Sequence, residues 1–166
     1  SGEEEDIAVG IKRVNNGKMS NWANDDLKAG MLVAVAPPSG NFKLNQAAKN
    51  IVAFAAGSGI TPIISMAKSL RKNGASMKLF YGNRMLNTIM FESELAATEG
   101  VHTRHFLTGE EVEGYEKGRL DKDKITEIVK ADLELLKADG FYLCGPETMI
   151  QAGIEVLEMF GVAKDK

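Results

Sequence analysis

Two short stretches carry the residue types that could do chemistry. One is Gly57-Ser58-Gly59-Ile60-Thr61-Pro62, directly after the apolar run 51–56, and the other is Cys144-Gly145-Pro146-Glu147-Thr148-Met149, after Phe141-Tyr142-Leu143. In each, an apolar run short for a helix and right for a buried strand is closed abruptly by glycine. The first stretch reads as strand, tight turn, helix, with Thr61 as N-cap, Pro62 at the first helical position and residues 63–72 continuing the helix. Such a turn aims free backbone N–H groups and the positive end of a helix at whatever lies above it, which suits a pyrophosphate. In the second stretch Gly145 lets backbone approach a ligand and Pro146 fixes φ at a helix start. Cys144 taken alone reads as a buried core thiol.

The glycine spacing does not decide the matter. A dinucleotide fingerprint would place a third glycine where Pro62 stands and an acidic residue roughly 20 positions on. Neither is present. The next apolar run, Met77 to Tyr81, ends in Gly82-Asn83-Arg84, which offers a cation and no carboxylate to a ribose. From the first turn alone, any α/β protein fits as well as a nucleotide-binding one.

The elements that must position these turns follow from periodicity. From Ile51 onward strands and helices alternate, the signature of a parallel sheet with helices on both faces. The strands are 51–56, 77–81, 101–107 and 141–144; the helices are 63–72, 89–98, 121–131 with Asp121 as cap, and a last one ending at Phe160 with Gly161 as its stop. Residues 114–118 read as loop, and 132–139 as an ordinary polar helix or loop. Ligands of an open parallel sheet lie beyond the carboxyl ends of the strands, so both turns should face one crevice.

The first 46 residues follow another pattern. After the acidic run Glu3-Glu4-Glu5-Asp6, residues 7–14 alternate as a half-buried strand, Asn15-Asn16-Gly17 makes a turn, 20–27 a short helix capped by Ser20 and stopped near Gly30, and 31–35 a second strand. So few strands cannot close a barrel, and they read as the remnant of an antiparallel β-barrel, with 41–50 leading into the next unit. The expected organisation is 1–46 as the truncated end of the barrel and 47–166 as the nucleotide-binding domain. The missing initial Met and the absence of a closing strand suggest an internal piece.

Composition narrows the function classes. The chain has 166 residues, a net charge of −3 and 26% charged residues, so nothing electrostatic points to nucleic acid or an anionic membrane. A single cysteine rules out a disulfide framework and a four-cysteine cluster within this chain. No segment reads as membrane-spanning or as an export signal, and a reducing, cytoplasmic location is expected. His102 and His105 are read as surface or edge positions, Glu110, Glu111 and Glu113 as solvated, Trp22 as packing, and the eight methionines as core filler.

Together, Gly-Ser-Gly-Ile-Thr-Pro after one strand, Tyr81-Gly82-Asn83-Arg84 after the next and Cys-Gly-Pro-Glu-x-Met near the end resemble the pyridine-nucleotide domain of the ferredoxin–NADP reductase superfamily. Gly17-Lys18-Met19-Ser20-Asn21 is similar to that family's flavin-pyrophosphate motif. The runs 20–24 and 37–42 resemble the phenylacetate-degradation branch, the reductase components of phenylacetyl-CoA oxygenases. The resemblance implies that Gly57, Ser58, Gly59, Ile60, Thr61 and Pro62 border the pyrophosphate and nicotinamide of NAD(P)H. Cys144 and Thr61 would flank the reacting ring as the catalytic pair, and Gly145, Pro146 and Met149 would shape its pocket. Arg84 and Thr108 would reach a phosphate or ribose, although Arg84 reads equally as a solvated loop charge. Gly17, Lys18, Met19 and Ser20 would hold the pyrophosphate of FAD, Ser20 serving also as a helix cap.

The chain departs from the family in three places. The Arg-x-Tyr-Ser flavin motif is absent, a [2Fe–2S] cluster would need a domain missing from this chain, and Thr108-Gly109 stands where NADPH users often have Ser-Arg. The lost cation leans towards NADH, while Lys117 and Arg119 could compensate, so both nucleotides stay open. The resemblance implies hydride transfer from NAD(P)H to FAD, then single electrons to an iron–sulfur centre and the oxygenase component of a multicomponent system. The alternatives are a regulatory module of the same superfamily that binds nucleotide without redox chemistry, and an unrelated α/β domain.

Overall fold

The computed structural model describes residues 7–70, 74–164 and 166. The acidic run 3–6 and the expected helix end at 71–72 lie outside them. After one helix, α1 (Lys18–Asp25), the ordered core runs β1 (Asn50–Ala56), α2 (Ile60–Leu70), β2 (Ser76–Asn83), α3 (Glu92–Ala97), β3 (Val101–Leu107), β4 (Glu116–Lys117), α4 (Lys122–Ala131), β5 (Gly140–Cys144) and α5 (Glu147–Met159). The five strands form one sheet in the order β4-β3-β2-β1-β5, and every pairing is parallel. Parallel strands need crossovers; helices supply them between β1 and β2, β2 and β3, and β4 and β5, while residues 108–115 join β3 to β4.

Alternation within β1 and β2 sorts the core into two layers. Ile51, Ala53, Ala55, Met77, Leu79 and Tyr81 pack against Ile60, Ile63, Ala67 and Leu70 of α2 and Leu95 of α3. Val52, Phe54, Phe80 and Phe106 pack on the other face against Ile125, Ile128 and Val129 of α4 and Met149 and Val156 of α5. Phe54 stacks on Phe80 with ring centroids 4.9 Å apart, which locks the register of β1 against β2 from inside the second layer. Asp121 caps α4, its carboxylate accepting from the Lys124 N–H at 3.0 Å, and Gly161 at φ +82° follows α5 as its stop.

Several local expectations are corrected. Residues 7–14 and 31–35 form no strand, because an alternating segment becomes a strand only when another pairs with it, and none does among the described residues. The first helix spans Lys18–Asp25, with Gly17 rather than Ser20 at its N-cap. The Ser20 hydroxyl instead accepts from the Val14 N–H at 3.1 Å and faces the Gly17 carbonyl, clasping the turn in which Asn16 takes φ 58°. Helix α2 starts at Ile60, one residue before Thr61, so Thr61 is no cap and Pro62 stands third. The helix expected over 89–98 is only Glu92–Ala97, entered through Phe91 at φ 59°, a conformation that ends any continuous helix on its N-terminal side. The loop 114–118 contains β4, pairing with Phe106 and Leu107, and 133–137 is a 3-10 turn.

Candidate functional site

Strands β1 and β5 are neighbours, with Ala55 opposite Cys144, so both glycine turns leave the same end of the sheet side by side. Gly57 takes φ +55° and opens a 3-10 turn, Gly57–Gly59, that leads directly into α2. A Cβ on Gly59 would lie 2.0 Å from the Cys144 carbonyl oxygen, and one on Gly145 would lie 3.1 Å from the Ala56 nitrogen. Only glycine lets these two backbones touch. Sequence reasoning expected the turns to face one crevice, and they do.

The sheet end is held open by specific bonds. The Thr61 hydroxyl donates to the Ser58 carbonyl at 3.0 Å, tightening the turn from within. The buried Tyr81 hydroxyl donates to the Gly57 carbonyl at 2.9 Å. Gly59 and Ile60 are buried, Ile60 completely, and their part is to join the turn to α2. Cys144 is half-buried and unpaired, and burial pushes its thiol above the ordinary value. It therefore stays protonated at neutral pH, and offers a soft, uncharged neighbour rather than a nucleophile.

Beside the turns lies a cavity of about 210 Å³ bounded by Lys12, Gly57, Asn83, Arg84, Thr108 and Arg119, with Pro146, Thr148 and Met149 on its far wall. Among the described residues no carboxylate lines it. Among the described residues Arg84 and Arg119 make no ion pair, and both are exposed at the rim. The Lys12 ammonium donates to the Thr88 carbonyl at 3.0 Å and reaches Asn83 Oδ1 at 3.4 Å, and partial burial lowers its pKa. The Asn83 amide nitrogen is buried without a partner. Three cations and a spare amide donor around a cavity that no described carboxylate lines favour an anion with several oxygens, as phosphate groups present.

Not every residue expected at the site is gathered there. Gly57, Arg84, Thr108, Pro146 and Met149 border the cavity, whereas Ser58, Gly59, Ile60, Thr61, Pro62, Cys144 and Gly145 form the turns beside it. Thr61 faces the N-terminal segment, since a Cβ on Gly10 would lie 2.8 Å from its methyl group and 3.1 Å from the Phe91 ring. Gly17, Lys18, Met19 and Ser20 open α1 away from the cavity lining. The N–H groups of a first helical turn have no acceptor within the helix, so Lys18 and Met19 keep the donors that a flavin pyrophosphate would need. The Ser20 hydroxyl is engaged in the turn.

Lys12, Asn83 and Tyr81 were not singled out from sequence. Lys12 lies in a run that pattern marks only for its alternation, while Tyr81 and Asn83 belong to the stretch Tyr81-Gly82-Asn83-Arg84, in which the resemblance gives a role to the arginine alone. Other expectations shift as well. Glu110 is not simply solvated, for its carboxylate accepts from the Leu86 N–H and pins the 3-10 turn Leu86–Thr88, and Glu111 pairs with Lys117. His102 is exposed as expected, but His105 is half-buried between the rings of Tyr81 and Tyr115, at 5.8 Å and 5.6 Å. No cluster of metal-binding side chains occurs among the described residues, and no helix there is long and apolar enough to cross a membrane.

Comparison with known proteins converges on this geometry. The family of oxidoreductase NAD-binding domains matches residues 54–153, which includes both turns and the cavity's far wall. The chain is 33% identical over 148 residues to tetrachlorobenzoquinone reductase of Sphingobium chlorophenolicum, covering 88% of this chain and 43% of that one. It is 33% identical over 162 residues to the ferredoxin reductase component of 3-ketosteroid-9-alpha-monooxygenase of Rhodococcus rhodochrous, covering 94% and 43%. To one component of the 1,2-phenylacetyl-CoA epoxidase of Escherichia coli it is 27% identical over 168 residues, covering 95% and 47%. The chain thus spans less than half the length of these relatives. The fold matches that of a cytochrome P450 reductase from Amycolatopsis with a TM-score of 0.78 at 23% identity, over 93% of this chain and 48% of that one. The parallel sheet, the two abutting glycine turns and the family match over residues 54–153 make this chain a member of the oxidoreductase NAD-binding domain family, within the ferredoxin reductases.

Proposed function

We propose that the chain is the nucleotide-binding part of a flavin-dependent NAD(P)H oxidoreductase, with residues 1–46 belonging to the end of an FAD-binding β-barrel. The observation that carries this reading is the contact of Gly59 with the Cys144 carbonyl, which joins two ligand-facing turns at one sheet end beside a cationic cavity. The residues fit a dinucleotide. The Gly57–Pro62 turn and Lys12 would take the pyrophosphate, Arg84 and Thr108, with Arg119 near by, would take the ribose and its phosphate, and Cys144 with Thr61 would bracket the nicotinamide.

When bound, the nicotinamide supplies a hydride to the flavin, which can release single electrons to an acceptor. The protein's own part needs no acid or base. Gly145, Pro146 and Met149 would wall the ring against water, the neutral Cys144 thiol would lie alongside it, and Thr61 would face the flavin side, where Gly10 already packs. FAD would take the first-turn amides of Lys18 and Met19, with Gly17 and Ser20 shaping that turn. A [2Fe–2S] centre outside this chain and an oxygenase component are the proposed next acceptors. The two 33% relatives include a monooxygenase reductase component, and a phenylacetyl-CoA epoxidase component is similar at 27%, which supports an oxygenase partner and, within that, phenylacetate degradation.

Titrating the chain with NADH and NADPH tests the reading directly. Saturable binding of at least one nucleotide is expected, with Arg84→Ala weakening it about tenfold, or ~1.4 kcal/mol, through loss of a charge-assisted bond. Absence of binding to either nucleotide, with the sheet intact by circular dichroism, would overturn the assignment.

A further inference from the structure

The Gly57 carbonyl points into the protein. It accepts from the Tyr81 hydroxyl at 2.9 Å and from the Ile60 N–H of its own turn. No peptide bond in the described chain is cis, so Gly57–Ser58 is trans and planar. In such a peptide the C=O of one residue and the N–H of the next point in opposite directions. An inward Gly57 carbonyl therefore turns the Ser58 N–H outward, over the carboxyl end of β1.

Tyr81 is placed for this by the sheet. It sits opposite Ala55 in the β1–β2 register, is fully buried, and rests its ring on His105. Its oxygen also faces the Met90 N–H at 3.4 Å, on the 85–91 segment whose Thr88 carbonyl holds Lys12. One hydroxyl, with one proton to give and two lone pairs, thus spans the glycine turn and the segment that carries the lysine. Removing it leaves Gly57 at φ +55° held only by the local 3-10 bond, and a glycine peptide with one restraint can rotate so that the N–H turns inward.

We propose that Tyr81 is a positioning residue of the nucleotide site, its hydroxyl holding the Gly57–Ser58 peptide with the Ser58 N–H turned toward the crevice to receive a dinucleotide's pyrophosphate. The inference rests on the dinucleotide reading above and adds to it a residue that touches no ligand.

Tyr81→Phe in the 166-residue chain keeps the ring and removes the bond. NADPH and NADH titrations are run beside adenosine 2′-phosphate, which carries no pyrophosphate, and ¹⁵N spectra of the ligand-free protein follow the Ser58 amide. The expected result is about a tenfold loss for the dinucleotides, the loss of one bond to a charged group, with adenosine 2′-phosphate changed less than twofold. The Ser58 resonance, single in the parent, should broaden or double. Equal dinucleotide affinity in parent and variant overturns the proposal, as does an equal loss for all three ligands, which marks a general structural role. An unchanged Ser58 resonance also overturns it. Failure of the unaltered chain to bind any nucleotide defeats the dinucleotide reading and the pyrophosphate role with it. The orientation of the peptide is checked separately, on the parent, by a slowly exchanging Tyr81 hydroxyl proton with a cross-peak to the Ile60 amide. Its absence counts against the bond itself.

Discussion

Residues 7–46 and residues 50–160 contain similar apolar side chains and use them in opposite ways. In the first region Ile7, Val9, Leu32 and Val35 stand in solvent, Leu32 completely, and no two segments pair. In the second, Phe54, Leu79, Phe106 and Ile125 are fully buried in two layers about a paired sheet. The contrast shows that alternation specifies a face, not a strand. A face becomes structure only where a neighbour takes up both its hydrogen bonds and its apolar surface. The first region meets the second at a few points: Gly10 against Thr61, Lys12 beside Asn83, Phe42 edge-on to Tyr142 at 5.8 Å, and the Asn45 N–H on the Tyr142 hydroxyl.

The contrast breaks if truncation in the two regions has similar effects. Phe54→Ala should cost ~3–5 kcal/mol, because it empties the middle of the second layer and strips Phe80 of its stacking partner. Leu32→Ala should stay within about 0.5 kcal/mol of the parent, since it removes nothing from a core. Chemical denaturation of both variants decides the matter, and a loss at Leu32 approaching that at Phe54 would show that the first region has a core of its own in solution.

Glycines sharpen the same contrast. Gly59→Ala sets a methyl against the Cys144 carbonyl, backbone that cannot move without parting β1 from β5, and should destabilise by ~2–3 kcal/mol while abolishing nucleotide binding. Gly40→Ala meets nothing within 4 Å and suffers only from its φ of +119°, a cost of about 1 kcal/mol, with binding unchanged. A smaller effect, ~1 kcal/mol, is expected for Asp121→Ala, which uncaps α4 and is read from the thermal midpoint.

How much of this was legible in the sequence depended on the range of the interactions involved. The boundaries of β3, the Asp121 cap and the Gly161 stop rest on residues close to one another in the chain, so pattern alone found them. That both turns face one crevice followed from the rule that parallel strands present their carboxyl ends together, whereas the contact of Gly59 with Cys144 depends on β1 pairing with β5, which local pattern does not encode. What escaped depends on distant partners. Pattern makes Ser20 a cap, but its hydroxyl accepts from the Val14 N–H in a turn that Gly17 closes. Thr61 lost its cap role because the two glycines let the helix begin one residue earlier. Lys12 and Asn83 become a pair across 71 residues of sequence, a relation that no local spacing encodes.

The smallest expected effect concerns His105, which pattern places at the surface or an edge and which is instead half-buried between two tyrosine rings, with Nδ1 lacking a partner. Burial lowers its pKa from 6.5, and the nearby Glu92 carboxylate, which accepts from the Tyr115 hydroxyl, opposes that shift only in part. The folded state therefore binds its proton less readily than the unfolded chain, so the unfolded chain carries more protons through this window. Stability is full above the unfolded value of about 6.5 and declines as the pH falls through the lower folded value. Denaturation midpoints between pH 8 and pH 5 should show a gentle acid-side loss that disappears in His105→Gln. The Leu32→Ala variant, altered in the region without a core, should keep the slope of the parent. If His105→Gln retains the parent slope, the histidine titrates as an exposed group would, and the aromatic layer beneath α3 is open to water.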